Sequence, residues 1–118
     1  MDIFTALSDP TRREILEMLA DSGPLTATEI YDHFKVSHPA ISQHLQALRA
    51  ANCVLVEKKG QQRLYRINPE GMQSVASWAQ RMTRQWEARF AALDRVLQQE
   101  LENQKPNFMV KQEEGENE

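Results

Sequence analysis

Two helix starts follow one another so closely in this chain that few folds can hold them both. Thr26 stands three residues before Glu29, the spacing at which a threonine cap and a glutamate reach back to each other. Ile30 and Phe34 then share a face. After Lys35-Val36, a turn of two or three residues, a second helix begins at Ser37-His38-Pro39. Ser37 is a good cap, and Pro39 falls in the first turn, where its missing N–H costs little. Ile41, Leu45 and Leu48 recur at spacings of four and three and form one buried face. The opposite face carries His38, Ser42, Gln43 and Gln46, with Arg49 near the end and no acidic residue. A face that needed only solvation would more often carry Glu/Lys pairs. Small uncharged donors and acceptors near a helix N-terminus suit the major groove of DNA.

The segment that follows completes the pattern. Cys53-Val54-Leu55-Val56-Glu57-Lys58 is β-prone, and Arg63-Leu64-Tyr65-Arg66-Ile67 alternates with period two. Lys59-Gly60-Gln61-Gln62 joins them as a tight loop. A helix-turn-helix followed at once by a basic hairpin is a winged helix. Before it lie a short apolar helix over residues 3–7, capped by Asp2, and a helix from Pro10 capped by Ser8 or Asp9. Gly23-Pro24 stops the latter.

Asn68-Pro69-Glu70 opens a last, long helix. Its apolar residues Met72, Val75, Ala79, Met82, Trp86, Phe90, Leu93, Val96, Leu97 and Leu101 recur at threes and fours. That stripe runs about eight turns, roughly 45 Å at the rise of an α-helix. One domain of this size cannot cover it, whereas a second copy of the same helix can. After Gln104-Lys105-Pro106 the sequence turns polar and acidic, and residues 105–118 are expected to form a disordered tail in which Phe108-Met109-Val110 could dock weakly.

The fold class expected is therefore mainly α with a small β-hairpin: a winged helix-turn-helix of five helices and two strands with a long C-terminal dimerisation helix. Residues 1–104 would form one DNA-binding and dimerisation domain. The formal net charge of −3 argues against nucleic acid when taken alone. Its distribution weakens the objection: residues 1–66 hold eight basic and eight acidic residues, a net of zero, and residues 67–118 hold six basic and nine acidic, a net of −3. Local patches decide phosphate binding. The hydrophobic fraction of 41% and charged fraction of 26% fit a soluble globular protein, and no apolar run approaches the roughly 20 residues of a membrane helix. Met1-Asp2-Ile3-Phe4 has neither a basic start nor a long apolar core, so no signal peptide is expected. The lone Cys53 excludes an intramolecular disulfide and fits a reducing cytoplasm.

Three stretches carry a resemblance to the ArsR/SmtB family of bacterial winged-helix repressors. They are Ala6-Leu7-Ser8-Asp9-Pro10-Thr11-Arg12-Arg13-Glu14-Ile15-Leu16, Ser37 to Leu45 with Leu48-Arg49-Ala50, and Lys58-Lys59-Gly60-Gln61-Gln62-Arg63-Leu64-Tyr65. The resemblance spans about residues 3–100. It implies a homodimer that binds an operator near a promoter and is released by an effector, with the first and last helices as the dimer interface.

Carried onto this sequence, it places His38, Pro39, Ser42 and Gln43 against the groove. Gln43 is the best candidate for a bidentate contact to adenine, and Ser42 could bond a base or a phosphate. Ser37 caps its helix and could also donate to a phosphate. His44 reaches the DNA backbone or packs at the helix edge. Lys58, Lys59, Gln61, Gln62 and Arg63 reach phosphates or the minor groove, against the plain reading of a solvated turn. Thr26 and Thr28 could donate to phosphate or serve capping alone. Ile3, Phe4, Leu7, Met82, Trp86, Phe90, Leu93 and Leu97 are assigned to the dimer interface. Trp78, Trp86 and Phe90 could also line a pocket for a small apolar effector.

Metal sensing, the best-known activity of this family, does not fit. The family pairs cysteines in the helix before the recognition helix, and Glu29 to Lys35 holds none. Its other site uses Asp and His on the last helix, and residues 69–104 contain no His. No metal and no cofactor is expected. Cys53, at a strand start, reads as a small buried hydrophobe. No nucleophile–base–acid set or phosphate loop appears, so catalysis is not expected. The expected activity is sequence-specific transcriptional regulation, as a cytoplasmic homodimeric repressor on a palindromic operator released by a non-metal signal. The competing reading is a winged-helix protein-interaction module with weak or no DNA binding.

Overall fold

In a computed structural model, which describes residues 1–104, the elements come in the order the caps and periodicities predict. The acidic tail and Phe108-Met109-Val110 lie outside the described residues. Helix α1 (Ile3–Leu7) begins where the Asp2 side chain accepts from the Thr5 N–H at 2.8 Å. Helix α2 (Pro10–Ser22) is capped by Asp9, which accepts from the N–H groups of Thr11 and Arg12. It ends at Gly23, whose φ of 80° is a conformation that glycine adopts without a Cβ penalty. Helix α3 (Ala27–His33) starts with the full Thr26/Glu29 capping box. Helix α4 (His38–Ala50) starts at Ser37, whose hydroxyl oxygen accepts from the Ala40 N–H at 3.3 Å.

Strands β2 (Val54–Lys59) and β3 (Gln62–Ile67) form the expected hairpin, with Val54 opposite Ile67 and Lys59 opposite Gln62. A third strand, β1 (Leu25–Thr26), adds to it: Leu25 pairs with Tyr65 and Thr26 with Leu64, giving the antiparallel order β1-β3-β2. Two residues are too few to show a period, so nothing in the sequence marks β1 as a strand.

The chain divides into two units, residues 1–78 and 79–118. The first holds the core. Ile15, Ile30, Ile41, Leu45 and Leu48 are less than 2% exposed, and Ala6, Leu16, Leu19, Cys53, Val54 and Tyr65 complete the cluster. Burying each large aliphatic side chain contributes about 1.5–3 kcal/mol relative to solvent. The Ile41/Leu45/Leu48 face therefore fixes which side of α4 is left for a ligand. Helix α5 (Pro69–Asn103) begins in this unit, where the Asn68 side chain accepts from the Glu70 N–H and donates to the Asn52 carbonyl at 3.0 Å. The described part of the second unit is the continuation of α5, and its Met82, Trp86, Phe90, Leu93, Leu97 and Leu101 are all exposed.

Cys53 is fully buried. Burial pushes its thiol above the usual value of 9.0, and the nearby Arg12 charge opposes this only in part. Because the folded value lies above the unfolded one, the buried neutral thiol adds stability. That stability is fully present below pH 9.0 and is lost as the pH rises through the folded value. Iodoacetamide should label native Cys53 about tenfold or more slowly than unfolded chain at pH 8, since only exposed thiolate reacts. Equal labelling rates would overturn the buried, unreactive assignment.

Candidate nucleic-acid interface

The exposed side of α4 is built from Pro39, Gln43 and Gln46, with Ser42 half-buried on one flank and Arg49 exposed beyond it. Three amide and hydroxyl groups, those of Ser42, Gln43 and Gln46, can therefore reach a ligand with no carboxylate to repel phosphate. Ser37 is exposed but its oxygen is engaged as the cap.

Two residues of this helix are held by neighbours that the sequence does not single out. The His38 ring stacks on Tyr31 of α3, with centroids 4.6 Å apart and planes 15° apart. The His44 ring sits at the half-buried edge and accepts at Nδ1 from Arg12 Nε at 3.1 Å. Tyr31 lies across a turn from His38 and Arg12 lies 32 residues from His44, so neither contact leaves a local signal. The Asp9 carboxyl beside Arg12 feels burial, which raises it. The Arg12 and Thr11 N–H groups, with the Arg12 charge, outweigh that and hold it below the usual carboxylate range.

Thr26 spends its donors locally. Its N–H and its hydroxyl both reach Glu29 Oε1, at 2.8 and 3.1 Å, and its hydroxyl oxygen accepts from the Glu29 N–H. Thr28 is exposed, with no hydrogen-bond partner for its hydroxyl among the described residues.

The hairpin tip turns through Gly60-Gln61. Gly60 has φ of 61° while Gln61 is not among the positive-φ residues, the pattern of a type II′ turn. Lys58 stands directly opposite Arg63, and Lys59 opposite Gln62. Like charges facing each other across a ladder destabilise it. The acid nearest the tip, Glu57, is 3.9 Å from Arg66, on the other side of the tip cations. Among the described residues Lys58, Lys59 and Arg63 have no ion-pair partner. This is a cluster of positive charge with no internal compensation, exposed at Lys58, Lys59, Gln61, Gln62 and Arg63 alike.

The residues assigned to an interface between copies fall in both units. In the first, Ile3 and Leu7 are half-buried, and exposed Phe4 meets Trp78 edge-on at 5.2 Å. In the second, Trp86 and Phe90 stack at 6.2 Å and are 66% and 60% exposed, so their mutual contact covers little of either ring. Met82, Leu93 and Leu97 are exposed on the same stripe. No group of three or more His, Cys, Asp or Glu side chains converges to hold a metal among the described residues. No described helix is long and apolar enough to cross a membrane.

Residues 9–56 match a family described as bacterial regulatory protein, arsR family. The transcriptional repressor SdpR of Bacillus subtilis (strain 168) is 42% identical over 77 residues, covering 65% of this chain and 84% of the relative. An arsenical resistance operon repressor of Staphylococcus xylosus is 38% identical over 68 residues, covering 58% of this chain and 64% of the relative. Among solved structures, an ArsR-like transcriptional regulator from Rhodococcus sp. RHA1 aligns with a TM-score of 0.70 at 34% identity, covering 80% of this chain and 88% of that one.

Proposed function

The chain belongs to the ArsR family of DNA-binding transcriptional regulators, and from that premise we propose that it is a cytoplasmic homodimeric repressor of a palindromic operator, released by a non-metal signal. Residues 1–104 act as one DNA-binding and dimerisation domain in this reading. The observation that carries it is the pairing of two surfaces: an uncharged polar face on α4 and an uncompensated cation cluster at the wing. Gln43 reads a base, with Pro39 and Ser42 beside it and His38 held by Tyr31. Lys58, Lys59 and Arg63 take phosphates, with Gln61 and Gln62 between them. Thr28 adds a phosphate donor at the start of α3. The absence of cysteine from Glu29–Lys35 and of histidine from residues 69–104 supports release by something other than a metal. The exposed rings of Trp86 and Phe90 offer apolar surface to a small apolar effector.

Gln43→Ala and Lys59→Ala test the division of labour. Gln43→Ala should cost about 1–3 kcal/mol of discrimination at one base pair and leave binding to random DNA intact. Lys59→Ala should weaken all duplexes alike and lower the slope of log K against log salt by about one unit. Both are read by fluorescence anisotropy on a duplex selected from a random library. A Gln43→Ala protein with unchanged base preferences would remove α4 from the groove. No salt-sensitive binding by the parent protein would favour a protein-interaction module.

A further inference from the structure

His44 has two ring nitrogens, and only one of them has a partner. Arg12 Nε donates to Nδ1 at 3.1 Å. A guanidinium N–H can only donate, so Nδ1 presents its lone pair and the neutral ring carries its proton on Nε2. Among the described residues no protein group accepts from Nε2, yet no half-buried residue leaves a polar side-chain atom both buried and unpartnered. The Nε2–H of half-buried His44 therefore reaches the surface with its hydrogen bond still to make.

We propose that Arg12 is a positioning residue: it fixes the tautomer and orientation of His44 so that Nε2–H donates to a phosphate of the operator backbone. The inference rests on the DNA-binding reading above and assigns an atom and a partner within it. His44 lies three residues after Ile41 and four before Leu48, both fully buried. It therefore stands at the edge of α4, away from the centre of the face formed by Pro39, Gln43 and Gln46. An edge position on a helix in the groove meets the groove wall, where the phosphates run. Phosphate oxygens only accept, so the Nε2–H tautomer is the useful one, and a ring free to exchange tautomers would present a lone pair part of the time. Asp9 secures the other end of the lock by accepting from the Thr11 and Arg12 N–H groups and fixing the first turn of α2.

The test uses the full chain. Long-range proton–nitrogen correlation spectra of the free protein at neutral pH should show His44 as the Nε2–H tautomer. Arg12→Met keeps most of the stem and removes the guanidinium. It should give a mixture of His44 tautomers and lower affinity for a library-selected duplex about three- to tenfold on every sequence, the loss of one hydrogen bond. His44→Gln places an amide donor where Nε2 lay and should retain most of the binding, whereas His44→Asn should not. A purely structural role would penalise Gln and Asn alike and would leave the tautomer unmoved by Arg12→Met. A wild-type ring protonated on Nδ1 overturns the lock. A change of preference at one base pair, in place of a uniform loss, overturns the phosphate assignment. If the wild-type protein selects no duplex, the DNA-binding reading fails and the phosphate contact with it, while the free-protein spectra still decide whether Arg12 sets the tautomer.

Discussion

Gly71→Ala is expected to lower the thermal midpoint by about 10–20 °C, from an overpacking cost of about 3 kcal/mol in a small domain. Helix propensity alone gives the opposite sign, because alanine is favoured over glycine inside a helix by about 1 kcal/mol. The contact decides. A Cβ on Gly71 would collide with the Asn52 carbonyl oxygen and lie 3.1 Å from its carbon. These are backbone atoms, and they are tied down: Asn52 sits at a φ of 63°, and its carbonyl accepts from the Asn68 side chain. Relief would require α5 to move off the end of α4. Gly60→Ala is the control. It carries a positive φ but open space, so its cost should stay near the roughly 1–2 kcal/mol of a left-handed backbone alone. Differential scanning calorimetry reads both. A Gly71→Ala protein that melts at or above the parent would show that α5 does not approach Asn52 so closely.

This contact marks the boundary of what the sequence alone reveals. The caps at Asp2, Asp9, Thr26 and Ser37 are legible because a cap and the N–H that donates to it lie within three residues. The Ile41/Leu45/Leu48 face is legible because helical periodicity is also local. The wing is legible from alternation and a Gly turn. What escaped is whatever depends on chain segments meeting in space. Asn52 against Gly71, Arg12 on His44, Tyr31 under His38 and Leu25 beside Tyr65 are of this kind. The candidate site shows the same division. The exposed polar and basic side chains of α4 and the wing could be named from the sequence, while Tyr31 and Arg12, which hold His38 and His44 in place, could not.

The largest functional effect should come from a residue outside both α4 and the wing. If the chain pairs through the apolar stripe of α5 as proposed, Trp86→Glu, or Phe90→Glu, should leave it monomeric and weaken operator binding about 10²–10⁴-fold, the avidity lost when two half-site contacts are no longer linked. The argument begins with exposure. Trp86 and Phe90 are 66% and 60% exposed although aromatic, and Met82, Leu93 and Leu97 continue the same stripe. A contiguous apolar patch of this length is costly in water and marks an interaction surface. A carboxylate buried in its centre has no partner and is strongly destabilising to the pairing. Arg84→Glu makes a charge change twice as large two residues before Trp86, on the far side of the helix. It should leave the dimer intact. Sedimentation equilibrium measures the mass and a shift assay the affinity, and the two losses should appear together. If either stripe variant stayed dimeric and still occupied two half-sites, Trp86 and Phe90 would be removed from the interface. Their exposure would then need another occupant, of which a small apolar effector fits the chemistry best.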